Sequence, residues 1–473
     1  MTTPAATDPA PALGRPHVDR ARLSVVALGA GLVAMSGPGQ TAGFSVFVDP
    51  ITESFGVSRG QLTTAYLVAT LLAAPTGLWL GRHLDGRRLG TMIRVVGVCL
   101  ALALVITASS PGLPVLTFGV FGLRAFGQTG FTLTASVFVA RAVTVRRGAA
   151  LGWLSALGGL AISMTPLLAS RLIPLIGWRQ TWLLLAAVVL TGSLLLAAAA
   201  GRLDGLGRRR RSVAGADAGA LLDPLADADA DPDADVHADP DADVPVPVAE
   251  VVAGPAVVPE PLTTEQTGST DPRERRWAFA VVTACVATMG AIGTALGFHQ
   301  IAVLGERGLS ATEAAANFVP QSAAAAVFAV LVGRQVDRLP GRLVVPGVMV
   351  LALAALGAIH LVSSPVTGVL FGVMLGGSVA ANHASEGALL ARWTGTVTLG
   401  RLRGRMMAVA VASTAVAPLW FTLLADALGS FSRAVTATML LPLTVGVIAW
   451  FAPLPADPTP DPVPTADVGG STG

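Results

Sequence analysis

The chain has no lysine, one tyrosine, two cysteines and little charge for its 473 residues, with 13% charged and 5% aromatic side chains. A soluble domain carries about 25% charged residues, so roughly half the charge needed to coat a globule is present. The cysteines, Cys99 and Cys285, both fall inside apolar stretches, and no disulfide framework is implied. All 31 Lys+Arg are arginine. That reads as the codon bias of a GC-rich genome, since no single physical role would remove lysine from every loop. Also missing are a P-loop, an H-E-x-x-H helix and paired aspartates at membrane depth. Those absences argue against ATP-driven transport by this chain alone and against a membrane-embedded enzyme. No cofactor, resident metal or nucleic-acid partner is expected.

What is present is apolar mass: 53% hydrophobic residues, 53 glycines and a mean hydropathy of +0.67. Lipid-facing helices can be apolar on every side, and glycine lets them approach closely. A span of about 20 apolar residues crosses the hydrocarbon core. That rule predicts six spans at 23–48, 59–80, 92–110, 113–140, 148–174 and 180–200. Six more are predicted at 277–303, 312–333, 343–362, 366–391, 404–428 and 433–452. The expected fold is an all-α membrane protein of twelve transmembrane helices in two six-helix bundles, 23–200 and 277–452. The first apolar stretch is too long for a signal-peptide core and is expected to stay as a helix. Residues 1–22 and 453–473 read as tails.

Between the halves, 201–276 opens on Arg208 to Arg211 and continues as an Asp/Ala/Pro tract. It has little to bury and repels itself, so it is expected to be a disordered linker. Its carboxylates invite calcium, but the turn glycine and terminal glutamate of a calcium loop are not in place. Deleting residues 216–260 should leave transport rates within about twofold of wild type, because such a linker adds reach without contacts. Loss of folding on deletion would contradict that reading. With both termini cytoplasmic, 25 arginines fall on the cytoplasmic side and 5 outside, leaving Arg124 inside a helix. That asymmetry sets the orientation and the even number of spans. A multi-pass monomer in the cell membrane is expected, with the bilayer as its main partner.

Two loops share a pattern. Gly81 is followed four residues later by Asp85 and then by Arg87 and Arg88; Gly333 is followed by Asp337, Arg338 and Arg342. Both stand at the cytoplasmic end of an even-numbered span, which makes a parallel repeat. The aspartates can accept from a helix N-terminus or pair with arginine, latching neighbouring helices. Here the chain resembles the major facilitator superfamily, whose signature is Gly-x-x-x-Asp-Arg-x-Gly-Arg. It departs at Gly86 and Arg88 in the first copy and at Pro340 in the second. Further stretches are similar to the monocarboxylate-carrier and oxalate/formate-antiporter branch: Gly37 to Pro50, Gly56 to Arg59, Arg146 to Gly152, Gly177 to Arg179, Phe298-His299, Gly308 to Ser310, and Glu386 to Gly404. The resemblance implies alternating access for a small organic solute, coupled to protons or to a counter-substrate.

Arg124 lies roughly 16 Å into the fourth span, at 1.5 Å per residue, where a charge costs at least ~3 kcal/mol. It must face a cavity or a partner. It is read either as an anchor for an anion or part of a coupling path, with Gln128 on the same face, or as a structural arginine between helices. The Pro/Gly break in the first span puts Gln40 and Thr41 in reach of a binding site; Asn317 and Gln321 flank Pro320 at the corresponding place in the eighth. His383 and Glu386 share a face of the tenth span. Glu386 either takes a coupling proton or pairs in the cytoplasmic gate, for instance with Arg392. His299 falls near the outer mouth, as a pH-sensing or an interfacial histidine. The resemblance places anion-holding basic residues in helices 8 and 11 of the carboxylate-transporting relatives. Here those helices carry no charge between Glu313 and Arg334 or from Met406 to Leu424. If Arg124 does not supply the positive charge, the solute is neutral or zwitterionic. A drug or metabolite exporter, or a non-transporting sensor of transporter descent, is the competing expectation. The fifth span, with Gly158-Gly159 and an isolated Pro166, lacks the Gly-Pro pair of the drug exporters.

Overall fold

The computed structural model describes residues 16–86, 89–143, 147–222, 271–336, 338–394 and 399–456, and every regular element among them is helical. The first set comprises α1 (Pro16–Met35), a 3-10 turn (Gly37–Gly39), α2 (Thr41–Ser45), α3 (Val48–Phe55), α4 (Arg59–Ala73) and α5 (Thr76–Gly86). It continues with α6 (Leu89–Ser109), α7 (Leu113–Gly122), a π-helical segment (Leu123–Phe131), α8 (Thr132–Ala142), α9 (Arg147–Ile176) and α10 (Trp178–Leu222). The second set is α11 (Pro272–Gly305), α12 (Ala311–Ala316), α13 (Phe318–Val336), α14 (Gly341–His360), α15 (Pro365–Thr394), α16 (Leu399–Leu428), α17 (Phe431–Thr438) and α18 (Leu440–Phe451).

Among the described residues, nine helices are long and apolar enough to cross a membrane. Two of the nine join neighbouring elements, α12 with α13 and α17 with α18, and three other stretches are interrupted. The path from α1 to α3 breaks at Gly37-Pro38-Gly39, α4 and α5 are separated at Ala74-Pro75, and α7 and α8 flank the π segment. Proline removes a backbone donor and kinks a helix, which accounts for the first two breaks from their local residues. Large apolar side chains face outward over the spans; Phe118, Trp153, Leu195, Val350 and Trp450 are each more than half exposed. In water such a surface would be an aggregation hazard, whereas hydrocarbon tolerates it.

The same turn is built twice. After α3, Gly56 adopts φ 62°, and Ser58 then caps α4 in a reciprocal pair with Gln61. After α11, Gly308 adopts φ 89°, and Ser310 caps α12 in the same way with Glu313. Only glycine takes that left-handed backbone cheaply, and Ser-x-x-Gln/Glu satisfies two orphan helix donors. The middle of the expected linker, 223–270, lies outside the described residues, while α10 runs to Leu222 and α11 begins at Pro272.

Within the first set, α6 lies along α10, α1 along α9 and α8, and α4 along α7. Within the second, α13 lies along α15, α11 along α16, and α14 along α15 and α18. The sets meet where α9 packs on α12 and α13, α4 on α16, and α2 on α11. One apolar core runs through this junction and includes Phe44, Tyr66, Trp182, Phe298 and Phe421. A second core, with Cys285, Val345, Leu389 and Trp393, belongs to the second set alone. At the far end of the same spans, α5 and α8 pack within their own set. The junction therefore closes one end of the molecule.

That closed end carries its own polar ties. Asp49 and Arg59 form an ion pair within the first set, and the Arg59 guanidinium sits 5.3 Å from the Phe431 ring of the second. Glu306, just past α11, accepts from the backbone N–H groups of Phe431 and Ser432 and from the Ser430 hydroxyl, each at 2.8 Å. Burial pushes the Glu306 carboxyl up, but these hydrogen bonds outweigh it and hold it below its ordinary value of 4.5. A depressed carboxylate stabilises the fold above its unfolded pKa, and that contribution is lost as pH falls through the lower folded value. Glu306→Ala should therefore cost about 1 kcal/mol, as a lost helix cap does, in thermal melts at pH 7. The gap between mutant and wild type should narrow when the melts are run below pH 4.

Candidate functional site

The break at Gly37-Pro38-Gly39 and the π segment touch. A Cβ on Gly127 would lie 2.8 Å from the Gly39 Cα, and one on Gly39 would lie 2.2 Å from the Leu123 carbonyl oxygen. Two side-chain-free positions thus let the irregular backbones meet, and the extra residue of a π turn re-aims the side chains it carries. Arg124 and Gln128 both lie in that segment and are buried, each 5% exposed.

The Arg124 guanidinium is held by neutral groups. Its Nη1 donates to the Gly39 carbonyl at 3.4 Å and to the Thr41 hydroxyl at 3.2 Å. Its Cζ lies 5.2 Å from the centre of the Tyr66 ring. Such a cation–π contact is worth about 0.5–2 kcal/mol, less than the cost of a charge at this depth. Among the described residues no carboxylate forms a salt bridge with Arg124, and its Nε has no hydrogen-bond partner. Among the described residues the positive charge is therefore positioned with no carboxylate at ion-pair distance.

Arg124 opens on a cavity of about 220 Å³ between the two sets. The first set contributes Gln40, Thr41, Arg124, Gln128 and Ile162, and the second contributes Thr294, Phe318, Gln321 and Ser322. Arg124 is the one charged residue among the described lining residues. A larger crevice of about 530 Å³ lies among α4, α7 and α16, lined by Ser58, Gln61, Thr64, Thr117, Leu419 and Leu423. It has no charge and is an open wedge between helices, so the smaller cavity is the candidate site.

Five of the expected binding residues come together here: Gln40, Thr41, Arg124, Gln128 and Gln321. Asn317 does not line the cavity; it is buried at the step between α12 and α13, its Oδ1 against Gly372 of α15. His299, expected near the outer mouth, is fully buried between α11 and α16. Its Nε2 donates to the Pro418 carbonyl at 3.0 Å, with Phe421 and Phe431 packed beside the ring. His383 and Glu386 are 3.9 Å apart on α15, with Glu386 4% exposed. One turn away on the same helix, Asn382 accepts from the Cys285 thiol at 3.4 Å. Arg392 donates to the Leu339 carbonyl at 3.1 Å, beside exposed Arg338. Arg88 and Asp337 lie outside the described residues, and Asp85 falls at the end of α5 with its side chain outside them.

Tyr66 is the site residue that hydropathy and motif spacing pass over. It is the chain's single tyrosine, and an isolated polar aromatic at mid-span is the signal that would have found it. The π segment left no such trace, because nothing in Leu123–Phe131 resembles a helix breaker except two glycines.

The family model for the Major Facilitator Superfamily matches residues 26–294. The structure of a bacterial homolog to the human lysosomal transporter Spinster, in an inward-facing and unoccupied conformation, superimposes with a TM-score of 0.58 at 14% identity, over 93% of this chain and 97% of that one. The peptide transporter POT in complex with sulfate superimposes with a TM-score of 0.62 at 14% identity, over 91% of this chain and 94% of that one. No curated protein sequence matches the chain.

Proposed function

The chain belongs to the Major Facilitator Superfamily, a family of transporters rather than enzymes, and from that premise we propose that it moves a small organic anion by alternating access. The observation that carries this reading is the Arg124 guanidinium, with no carboxylate at ion-pair distance among the described residues, in the 220 Å³ cavity between the two sets. A monocarboxylate or related anion fits that charge. A zwitterion would bring an ammonium group, and no carboxylate stands among the described lining residues to receive it. Drug-sized ligands occupy pockets of about 300–1,000 Å³, so the cavity favours a smaller solute than an exporter of drugs would take.

The architecture proposed is twelve spans: the nine apolar spans, two of which step between α12 and α13 and between α17 and α18, and the three interrupted stretches, divided as six before residue 201 and six after 276. The twice-built glycine-and-serine turn supports two related halves. The junction at Asp49, Arg59 and Phe431 lies at the end that the arginine distribution puts outside the cell, with both termini in the cytoplasm. The conformation is then inward-facing, and transport proceeds by rocking of the halves about the cavity. Buried Glu386 and half-buried His383, neighbours on α15, are the groups proposed for proton coupling. Arg392 at the Leu339 carbonyl is proposed to hold the cytoplasmic loop beside Arg338. The protein is proposed to work as a monomer in the cell membrane.

A thermal-stability screen of the purified protein tests the solute class. Ligand at 100 times its Kd adds about 2.7 kcal/mol, so short monocarboxylates should raise the melting temperature where sugars, amines and neutral amino acids do not. Stabilisation confined to sugars or amines would remove the anion reading.

A further inference from the structure

Resting on the anion-transport reading, we propose that Tyr66 and Phe298 seal the outer end of the cavity and that Tyr66 ties this seal to Arg124. Occupancy of the site and closure toward the outside are thereby linked.

Tyr66 comes from α4 and Phe298 from α11, so their contact crosses between the two sets. The rings meet edge to face at 4.7 Å and 70°, a favoured aromatic geometry. Phe44 of α2 completes the cluster, 5.4 Å from Tyr66 and 5.8 Å from Phe298. All three rings are at most 2% exposed. The cluster borders the cavity directly: Gly297, next to Phe298, and Thr41, one turn before Phe44, both line it. His299 meets the Phe298 ring edge-on at 4.9 Å and 61°, and Arg59 covers Phe431. In this arrangement, parting Tyr66 from Phe298 opens the junction toward the cavity.

The other side of Tyr66 faces the site. Its ring carries the Arg124 guanidinium at 5.2 Å, and its hydroxyl is 3.1 Å from the Thr41 hydroxyl. Arg124 donates to that same Thr41 oxygen at 3.2 Å. Thr41 is thus shared between the cation and the tyrosine. An anion at Arg124 competes for the guanidinium N–H groups and weakens the pull of the cation on the ring. Both changes reach Tyr66, and through its edge they reach Phe298. Tyr66 is a positioning residue here, acting on the solute through Arg124.

The test uses a cysteine-free protein (Cys99 and Cys285 replaced) carrying Thr294→Cys in the cavity wall as reporter, labelled with a membrane-impermeant thiol reagent. In right-side-out membranes, Tyr66→Ala and Phe298→Ala should each label at least tenfold faster than the reporter parent. Tyr66→Phe, which keeps the ring, should stay within threefold of it. In inverted membranes all four proteins should label alike, which shows that each is folded. Formate, acetate and pyruvate, by drawing Arg124 away from Tyr66, should speed outside labelling of the parent at least threefold but should not speed that of Tyr66→Ala, where the link to Arg124 is cut. Outside labelling of both alanine variants at the parent rate would overturn the proposal, as would equal acceleration from both sides. If the seal behaves as expected but no anion speeds labelling even with Tyr66 present, the seal stands and the anion-transport reading fails.

Discussion

Arg124→Ala is expected to lower transport at least a hundredfold while the protein still inserts and folds. A hydrogen bond to a charged group is worth about 1.5–3 kcal/mol, and two such bonds from one guanidinium to a carboxylate account for that factor. The fold loses less, because two opposed effects nearly cancel. Removing the side chain gives up the bond to the Gly39 carbonyl and the face of Tyr66. It also removes a charge whose placement at this depth costs at least ~3 kcal/mol. Arg124→Lys should recover only part of the activity, since an ammonium lacks the planar fork that can stack on Tyr66 and grip a carboxylate at the same time. Uptake rates beside thermal melts and membrane yields check both halves of this expectation. Wild-type uptake in the alanine variant would discard the role of Arg124.

Gly39→Ala is expected to damage stability and transport together. The added Cβ would come within 2.2 Å of the Leu123 carbonyl oxygen, 2.7 Å of the Gly127 Cα and 2.8 Å of the Gln128 nitrogen. All three are backbone atoms, so no side chain can swing away. Overpacking of this kind costs about 1–3 kcal/mol or more. The relief has to come from moving the π segment, which carries Arg124 and Gln128. A melting temperature lowered by several degrees and transport reduced at least tenfold are the expected results. Gly152→Ala on α9 is the control, because its Cβ would meet nothing within 4 Å; it should match or slightly exceed wild-type stability. Equal behaviour of the two variants would show that the contact between the break and the π segment does not shape the site.

Much of the site is legible in the amino-acid sequence. Arg124 stands out because charge is rare at that depth, and Gln40, Thr41 and Gln321 stand out because proline marks the breaks beside them. Those signals are local and survive folding. Asn317 misleads because it shares the polar patch near Pro320, yet its direction depends on the step from α12 to α13, which no periodicity encodes. The surroundings of His299 are hidden for a related reason: the Pro418 carbonyl that holds it belongs to a helix more than a hundred residues away. Tyr66 and Phe298 meet only because two distant segments pack together, and the π segment shifts register without a breaker residue. Element identity is readable wherever apolar runs are continuous, and side-chain aim is not wherever the backbone is irregular.

The most direct measurement is uptake of labelled short monocarboxylates into proteoliposomes holding the wild-type protein, with a proton gradient imposed inward and then outward. The account predicts accumulation of at least one monocarboxylate that follows the gradient, exchanges with unlabelled solute and is lost in Arg124→Ala. A folded, thermally stable protein that moves none of them in either direction, or that moves them equally well without Arg124, would contradict it.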